Sequence, residues 1–309
     1  MKTVKAFAPA TVANVACGFD VLGFAVEYPG DEATITLTDT PGIVIKSIKG
    51  DEGKLPLDPK ENTISLVIEK YLADQGIEQG VEIELVKHMP LSSGLGSSAA
   101  SSVVGVYALN EALGAPVKKE DLLPYAIEGE RLASGSAHAD NVAPSLMGGF
   151  TLIRSYNPLD IVCLPTPPKL HATIIHPHIE VKTKDARSIL RRKIEMKDAV
   201  VQWGNLAGLI AGIYKEDYEL IGRSLEDVIV EPVRSILIPG FYDVKNAALA
   251  AGALGCSISG SGPSMFALST DMATAEKIGQ VMKDQYDSLN IQSEVYVSKI
   301  CDKGPRIID

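Results

Sequence analysis

The stretch Met89-Pro-Leu-Ser-Ser-Gly-Leu-Gly-Ser-Ser-Ala-Ala100 decides the fold, because it forms a small-residue loop between a predicted strand, residues 81–87, and a predicted helix that begins near Ser97. Gly94 and Gly96 permit left-handed turns and let the backbone approach an anion with no Cβ in the way. The helix directs its unpaired N–H groups and the positive end of its dipole at the loop. We therefore expect the loop to bind phosphate.

A serine-capped strand-turn-helix corner without a ligand is the alternative for such a loop. Three features favour anion binding: Pro90 at the loop entry, two closely spaced glycines, and the hydroxyl groups of Ser93, Ser97 and Ser98, which suit a metal–phosphate complex. The loop lacks the Gly-Lys-Ser/Thr ending of a Walker loop and is not Gly-x-Gly-x-x-Gly. The pattern therefore predicts a phosphate-binding loop of another type.

The composition limits the class of protein. A chain of 309 residues, 46% of them hydrophobic, can bury a large core and is long enough for two lobes. The net charge of -10 argues against nucleic acid or an anionic membrane as a partner, and no apolar run approaches the ~20 residues of a membrane span. We expect a cytoplasmic protein. The cysteines are widely spaced, which argues against a zinc site and against disulfides, and we expect them to be buried: Cys17, Cys163, Cys256 and Cys301.

Polar residues among small ones mark further candidate sites. The first strand, from Thr3, is predicted to end at Pro9. The segment that follows carries Asn14 and Asp20 among small residues, with Gly18 and Gly23 permitting close approach. These two residues suit a pocket for a polar ligand, and a turn with Asx caps is equally compatible. A second such loop holds candidates for substrate recognition that could also cap a short helix: His138, Asp140 and Asn141.

Two helices and three histidines allow more than one interpretation. Asn62 is the predicted cap of a packed helix. Glu130 falls among apolar residues of the helix predicted for residues 118–133, so its carboxylate needs a partner, either a metal ion or a neighbouring helix. Three histidines lack the spacing of a metal site and are predicted to lie at the surface: His171, His176 and His178.

A proline cluster at residues 158–168 marks the expected boundary between two lobes, residues 1–160 and 161–309. The second half alternates strands and helices, as an α+β layered domain does. It contains another glycine-rich crossing between strands, at residues 258–266, which we expect to close against the first loop.

Three segments together resemble the motifs of the GHMP kinase family: residues 8–23, the central Pro-x-x-x-Gly-Leu-Gly-Ser-Ser-Ala from Pro90 to Ala99, and residues 258–266. They stand in the order and spacing of that family and cover nearly the whole chain. Within the family, the resemblance is closest to homoserine kinases. The residues that carry this closer resemblance are Asn14 with Gly18, Phe19 and Asp20, the run of residues 135–144, Thr183 with Arg187, and Arg234.

The resemblance implies an α+β, two-lobed GHMP kinase fold, with a ribosomal S5 domain 2-like N-terminal lobe and a ferredoxin-like C-terminal lobe. It implies ATP and Mg²⁺ as cofactors, with Ser98 and Glu130 holding the metal and Asn62 and Lys87 near the nucleoside. The phosphates would contact the loop residues Pro90, Leu91, Ser92, Ser93, Gly94, Leu95, Gly96, Ser97, Ser98, Ala99 and Ala100.

For the acceptor, the resemblance implies L-homoserine, phosphorylated on its side-chain hydroxyl on the route to threonine, and a possible homodimer. Asn14, Asp20, Asp140 and Asn141 would bind its amino and hydroxyl groups. Its carboxylate would be bound by His138, Arg187 and Arg234, with Thr183 in support. An arginine fork suits a carboxylate because it pairs with both oxygens.

The resemblance also places Asp140, Asn141 and Arg187 at the reacting groups. Phosphoryl transfer depends mainly on positioning and charge stabilisation. Relatives that resemble mevalonate kinase have an aspartate base where this chain has Asn141, so we expect no protein base, with Asp140 as the rival candidate. The alternatives are a GHMP kinase for another small carboxylate-bearing alcohol and a non-catalytic ligand-binding regulator.

Overall fold

The computed structural model describes the backbone of residues 2–135 and 137–309, and the side chains of the same residues apart from 132–134. One mixed sheet is built around a long central strand, with the order β11-β1-β2-β4-β3 and with β5 beside β2 and β6 beside β5. Its strands are β1 (Thr3–Ala13), β2 (Leu22–Thr38), β3 (Gly42–Lys49), β4 (Gly80–Val86), β5 (Phe150–Tyr156), β6 (Leu159–Leu164) and β11 (Arg306–Ile307).

A second, antiparallel sheet has the order β10-β7-β9-β8. Its strands are β7 (His171–Pro177), β8 (Gly255–Ile258), β9 (Met265–Ser269) and β10 (Ser293–Lys299). Helices separate β7 from β8 and β9 from β10, so that the chain order is the β-α-β-β-α-β pattern of ferredoxin-like folds. The predicted α+β architecture of this half is confirmed.

The helices pack on these two sheets. Their bounds are α1 (Thr63–Gln75), α2 (Ser97–Ala112), α3 (Leu123–Ser134), α4 (Ala139–Met147), α5 (Thr183–Ser188), α6 (Met196–Lys215), α7 (Tyr218–Ser224), α8 (Glu231–Arg234), α9 (Phe241–Ala250) and α10 (Met272–Ser288), with 3-10 turns at Lys119–Leu122 and Ser235–Leu237. Within the described ranges, none of these helices combines the length and apolar character needed to cross a membrane.

Helix α2 is the buried helix of the first layer, and its small residues explain how closely its neighbours approach. A Cβ built on Gly105 would lie 2.6 Å from Cγ1 of Ile64 in α1, a separation that only glycine allows. Residues of both sheets contribute to one apolar cluster, in which the ring centroid of Phe24 lies 5.0 Å from that of Phe150 and 5.8 Å from that of Phe266. Phe266 belongs to β9, so this aromatic cluster joins the two sheets.

Two boundaries differ from the sequence prediction. Strand β1 does not end at Pro9 but continues to Ala13, and its register with β2 shifts between Pro9 and Thr11. A bulge accommodates the missing N–H of proline without ending the strand. The helix predicted from residue 118 begins as a 3-10 turn, and the α-helix begins at Leu123, with Pro124 in its first turn, where proline is tolerated.

All four cysteines are free, and three are buried as predicted; the exception is Cys163, which is exposed on β6.

Strand β11 pairs with β1, so the end of the chain returns to the first sheet. The division into residues 1–160 and 161–309 stays a prediction.

Candidate active site

The glycine loop predicted to bind phosphate connects β4 to α2. Ser92, Gly94 and Gly96 adopt left-handed φ values of 55°, 80° and 69°. Gly96 is the N-cap of α2, and no side chain in the described part of the chain caps that helix end. The first-turn N–H groups of α2 are therefore available to an anion.

The second glycine-rich crossing packs directly on this loop, as the sequence predicted. The Ser259 hydroxyl donates to the Gly94 carbonyl oxygen (2.8 Å), and the Ser264 N–H donates to the Ser93 carbonyl oxygen (3.2 Å). A Cβ on Gly94 would lie 2.4 Å from the Ser259 carbonyl oxygen, so glycine is required at this contact. The Gly260 N–H donates to the carbonyl oxygen of Ala13, which brings β1 to the same place (3.1 Å).

A buried ion pair holds the two ends of the glycine loop together. The Lys87 ammonium is 1% exposed, pairs with Asp31, and donates to the Ser97 carbonyl oxygen (2.8 Å) and to the Ser101 hydroxyl (2.7 Å). Asp31 also accepts from the His88 N–H (2.9 Å). The pair thus joins the start of the loop to the first turns of α2, and removing one partner would leave a buried charge without compensation.

A large cavity of about 730 Å³ opens beside the loop, a volume suited to a nucleotide. Its walls come from the entry to the glycine loop, from the segment after β3, and from the end of β7 and the residues that follow it. These include Lys87, His88, Met89, Pro90, Leu91 and Ser92, then Gly50, Asp51, Glu52 and Lys54, and finally His176 and His178. Asn62 caps α1, accepting from the Ile64 N–H (3.2 Å) and donating to the Pro56 carbonyl oxygen (2.8 Å), and it is not among the described residues that line this cavity.

The prediction that three histidines lie at the surface is wrong for two of them. His171 and His176 are buried because β7 lies in the interior of the second sheet, between β10 and β9; His178 follows the strand and is exposed. Nδ1 of His176 is 3.0 Å from the Ser264 hydroxyl, and burial lowers its pKa to about 4. This imidazole is therefore neutral at physiological pH.

A second, small cavity of about 60 Å³ lies on the other side of the loop. Its lining includes every residue that the resemblance assigns to the acceptor: Asn14, Asp20, His138, Asp140, Asn141, Thr183, Arg187 and Arg234. Gly94 and Gly96 form part of its wall, so the acceptor cavity adjoins the candidate phosphate site. Four sequence segments contribute these side chains, and the fold brings them together. Residue 136 of the run 135–144 lies outside the described residues.

Asn14 holds the turn that presents Asp20. Its Nδ2 donates to the Gly260 carbonyl oxygen (2.6 Å), and its Oδ1 accepts from the Asp20 N–H (3.0 Å). Asn14, Val15 and Ala16 all have left-handed φ values, of 70°, 38° and 57°. Asparagine tolerates this conformation better than most residues, which explains the residue type at the start of the turn.

Two arginines reach the cavity from the second half of the chain. Arg187 pairs with both oxygens of Asp20, at 3.0 and 2.8 Å, in the fork geometry that suits a carboxylate. Arg234 is buried and donates to the carbonyl oxygens of Ala186 (3.0 Å) and Gly260 (3.1 Å). It forms no ion pair with a carboxylate among the described residues, and burial lowers its pKa to about 10, so it remains a cation. Both guanidinium groups lie over the ring of Phe19.

Two acidic groups and one imidazole complete the charge pattern. Nδ1 of His138 is 3.1 Å from Oε1 of Glu130, and this hydrogen bond raises the pKa of His138. Asp140 lies in the first turn of α4, and burial together with the nearby charge of Asp20 raises its pKa to about 6. The cavity lining thus combines acidic and basic side chains within a small volume.

Glu130 and Ser98, the predicted metal ligands, lie on helices that pack on each other. Glu130 is buried near the end of α3, and Ser98 is half-buried in the first turn of α2. A Cβ on Gly129 would lie 3.1 Å from the Ser102 hydroxyl, one helical turn after Ser98. Among the residues that the structure describes, no group of three or more His, Cys, Asp or Glu could hold a metal.

Sequence reasoning missed several residues of the site. Thr11 contacts Asn141, Phe19 lies under both arginines, and the Tyr156 hydroxyl donates to the Asp20 carbonyl oxygen (3.0 Å). Phe19 is part of the motif that carries the resemblance, but no role was predicted for its ring. No local sequence signal marks Thr11 or Tyr156, because each contact joins residues that are far apart in the sequence.

Comparison with known proteins identifies the class. Family models described as GHMP kinases N terminal domain and GHMP kinases C terminal match residues 62–149 and 209–288. The chain belongs to the GHMP kinase family.

Particular relatives carry a more specific name. A protein named homoserine kinase from Chlorobium phaeobacteroides (strain BS1) is 54% identical over 320 residues and covers 100% of both chains. The crystal structure of homoserine kinase from Cytophaga hutchinsonii ATCC 33406 superposes with a TM-score of 0.98 at 64% identity, covering 100% of this chain and 98% of the other. An L. major mevalonate kinase structure shares the fold, with a TM-score of 0.74 at 16% identity over 96% of each chain.

Proposed function

We propose that this chain is an ATP-dependent kinase that transfers the γ-phosphoryl group to the side-chain hydroxyl of L-homoserine, giving O-phospho-L-homoserine in threonine biosynthesis. The observation that carries the proposal is the small cavity beside the glycine loop, whose lining includes two carboxylates, Asp20 and Asp140, and three basic side chains, His138, Arg187 and Arg234. The identities to two proteins named homoserine kinase support it.

The charge pattern suits a small amino acid. An α-ammonium group needs an anionic partner, supplied by Asp20 and Asp140, and an α-carboxylate needs a cationic one, supplied by Arg187, Arg234 and His138. Asp20 and Arg187 pair with each other without substrate. A zwitterion offers a replacement charge to each of them, so binding exchanges one ion pair for two. A neutral sugar would replace neither charge.

The nucleotide would occupy the large cavity, with its phosphates on residues 90–100. Loop N–H groups and the N-terminus of α2 would bind the phosphate oxygens. The Lys87–Asp31 pair would act by holding the loop in shape, because the Lys87 ammonium is already engaged.

Mg²⁺ fits the donors present. A serine hydroxyl and one carboxylate supply the oxygen ligands that Mg²⁺ takes when nucleotide phosphates and water complete its shell, and a carboxylate in contact with His138 has further lone-pair sites. The ion would neutralise charge on the transferred phosphoryl group. We therefore propose Ser98 and Glu130 as its ligands.

Electron paramagnetic resonance of Mn²⁺ with ADP tests this assignment without relying on turnover. Glu130→Gln should weaken nucleotide-dependent Mn²⁺ binding by about tenfold. Glu128→Gln, on the same helix but paired with Arg131, should leave it unchanged. Equal affinities of the two variants would exclude Glu130 as a ligand.

Positioning and charge stabilisation, rather than proton abstraction by a side chain, form the proposed mechanism. The acceptor hydroxyl would lie against Asn141, which has no basic nitrogen and cannot take a proton. Arg187, once released from Asp20, would hold the acceptor carboxylate and thereby place the hydroxyl toward the loop. The hydroxyl proton would pass to a phosphate oxygen or to water.

A coupled assay of ADP release tests the substrate. With Mg²⁺ and ATP, we expect stimulation by L-homoserine and none by mevalonate, shikimate or galactose. Stimulation by another small carboxylate-bearing alcohol alone would assign a different GHMP kinase reaction. Homoserine binding by calorimetry with no ADP release would favour a non-catalytic regulator.

We propose that the chain works as a homodimer through the outer face of α6. Exposed large residues at both ends of this face flank small exposed ones at its middle: Met196, Val200, Trp203, Gly204, Ala207 and Tyr214. Two antiparallel copies would set the large residues at one end of the face against those at the other end, would bring the small residues Gly204 and Ala207 together at the crossing, and would pair Asp198 with Lys215 and Lys197 with Glu216. The pattern is therefore complementary to itself, as a two-fold interface requires.

Trp203 is the only tryptophan of the chain and reports on this face. We expect a dimer by sedimentation, a red shift of Trp203 emission on dilution, and a monomer for Val200→Glu. Val44→Glu, at a residue of similar exposure on β3, should remain dimeric. A monomeric wild type, or equal behaviour of the two variants, would contradict the interface.

We further propose a cytoplasmic location, which four free cysteines support.

A further inference from the structure

Thr11 lies under the active site and contacts two of its parts. It belongs to β1 and is fully buried. Its backbone N–H donates to the Leu95 carbonyl oxygen in the glycine loop (3.0 Å), and its hydroxyl donates to Oδ1 of Asn141 (2.9 Å). One residue therefore connects the candidate phosphate loop to the residue expected beside the acceptor hydroxyl.

Gly96 shows how closely these groups lie. A Cβ built on Gly96 would be 2.2 Å from the Thr11 hydroxyl oxygen and 2.9 Å from Oδ1 of Asn141. The Thr11–Asn141 hydrogen bond thus lies directly against the N-cap of α2, where the loop becomes helix. A rotation of the Asn141 amide would therefore change the contacts at the start of α2.

An asparagine amide has an acceptor on one side and a donor on the other, so fixing one side fixes both. Oδ1 of Asn141 is occupied by the Thr11 hydroxyl, and in the described part of the chain Nδ2 of Asn141 has no hydrogen-bond partner, although the residue lines the small cavity. Asn14 differs, because both of its amide groups have partners in the protein.

We propose that Thr11 is a positioning residue, whose hydroxyl holds the Asn141 amide with Nδ2 toward the cavity as a hydrogen-bond donor to the acceptor's hydroxyl oxygen. This rests on the proposed kinase function. Held in this way, the acceptor oxygen receives a hydrogen bond from Asn141, and its own proton points elsewhere. Thr11 does not touch the substrate.

The orientation has a chemical consequence. If Oδ1 of Asn141 faced the cavity, it would accept a hydrogen bond from the substrate hydroxyl. The hydroxyl proton would then point at an amide oxygen that cannot remove it. With Nδ2 facing the cavity, a lone pair of the hydroxyl oxygen remains for the phosphorus, and the proton is directed toward the phosphate or solvent. Thr11 would therefore affect turnover more than nucleotide binding.

Steady-state kinetics of Thr11→Val and Thr11→Ser test the proposal. Valine matches the shape of threonine but has no hydroxyl, so we expect kcat/KM for homoserine to fall about tenfold while KM for ATP changes less than about twofold. Serine keeps the hydroxyl and should restore most of the loss. A serine variant as impaired as the valine variant, or an equal change in KM for ATP, would overturn the proposal.

A double-mutant cycle distinguishes an effect that acts through the Asn141 amide from a general structural effect of losing the Thr11 hydroxyl. In an Asn141→Ala background, Thr11→Val should change kcat/KM less than about twofold, because the amide that Thr11 orients is gone. A full tenfold effect in that background would show that Thr11 acts by another route.

Asn141→Asp supplies an independent test should Thr11→Val fold poorly. It keeps the acceptor for Thr11 but replaces the donor with a second oxygen, and we expect at least a tenfold loss in kcat/KM for homoserine. Wild-type turnover by this variant would refute the donor role. Absence of homoserine-dependent turnover in the wild-type protein would refute the proposed function instead, so the two failures are distinguishable.

Discussion

Replacing Asp140 by asparagine should stabilise the ligand-free protein and weaken its binding of the acceptor at the same time. Asp140 is 3% exposed, and burial with the nearby charge of Asp20 raises its pKa from 3.8 to about 6. Because the folded pKa lies above the unfolded one, the protonated form contributes stability at low pH, and this contribution is lost as the pH rises through about 6. Asparagine carries no charge, so the variant does not lose unfolding free energy in this way as the pH rises.

The magnitude follows from the pKa difference. A rise from 3.8 to about 6 corresponds to about 3 kcal/mol of unfolding free energy once Asp140 is fully ionised, as at pH 8. At pH 5 the same relation gives about 1.5 kcal/mol, because Asp140 is then mostly protonated in the folded protein but ionised in the unfolded chain. These values are upper bounds, since an isosteric amide also changes hydrogen bonds.

Urea unfolding of the ligand-free protein at pH 8 and pH 5 measures the effect. We expect Asp140→Asn to raise the unfolding free energy at pH 8 by up to about 3 kcal/mol and by about half as much at pH 5. Asp39→Asn, at an exposed position, is the control and should be neutral at both. A variant that is destabilised at pH 8, or a gain that does not shrink at pH 5, would refute the argument that burying this charge costs stability.

Kinetics of the same variant separate binding from proton transfer. KM for homoserine should rise, because the α-ammonium group loses an anionic partner, and kcat should stay within about tenfold of wild type. A fall in kcat of about 10²–10⁴ would instead identify Asp140 as a general base.

Three further predictions address the loop and the basic residues. Gly94→Ala should raise KM for ATP and lower Tm, because its Cβ would meet the Ser259 carbonyl oxygen, whereas Gly53→Ala, also left-handed but in open space, should leave KM for ATP unchanged; equal effects would contradict the packing argument. Arg234→Gln should raise KM for homoserine more than tenfold with KM for ATP unchanged, and an unaltered homoserine KM would remove Arg234 from the carboxylate site. Glu130→Gln should lower the pKa of His138 in an NMR titration, and an unshifted pKa would show that this contact does not govern the imidazole.

The sequence predicted much of the site because its residue types reflect local constraints. Gly94 and Gly96 stand where left-handed turns are needed, and the polar residues of segments 14–20 and 138–141 stand among small ones because the chain must pass close to other backbone there. The family resemblance supplied the order of the motifs. It led to eight acceptor residues that the fold brings to one cavity.

Other features depended on tertiary contacts and could not be predicted from local patterns. Pro9 marks a strand end by local rules, yet pairing with β2 carries β1 past it through a bulge. His176 was predicted to lie at the surface, but it is buried because β7 is an interior strand of the second sheet. Thr11 meets Asn141 across 130 residues of sequence, a contact that no local pattern reveals.

One measurement tests the central claim most directly: ³¹P NMR of the protein incubated with Mg²⁺, ATP and L-homoserine. The proposed function predicts that the γ-phosphate signal of ATP decreases while signals of ADP and a single phosphomonoester coupled to the side-chain methylene of homoserine appear in equal amounts. Conversion of ATP to ADP and inorganic phosphate alone, or an unchanged ATP spectrum under conditions in which homoserine binds, would contradict it.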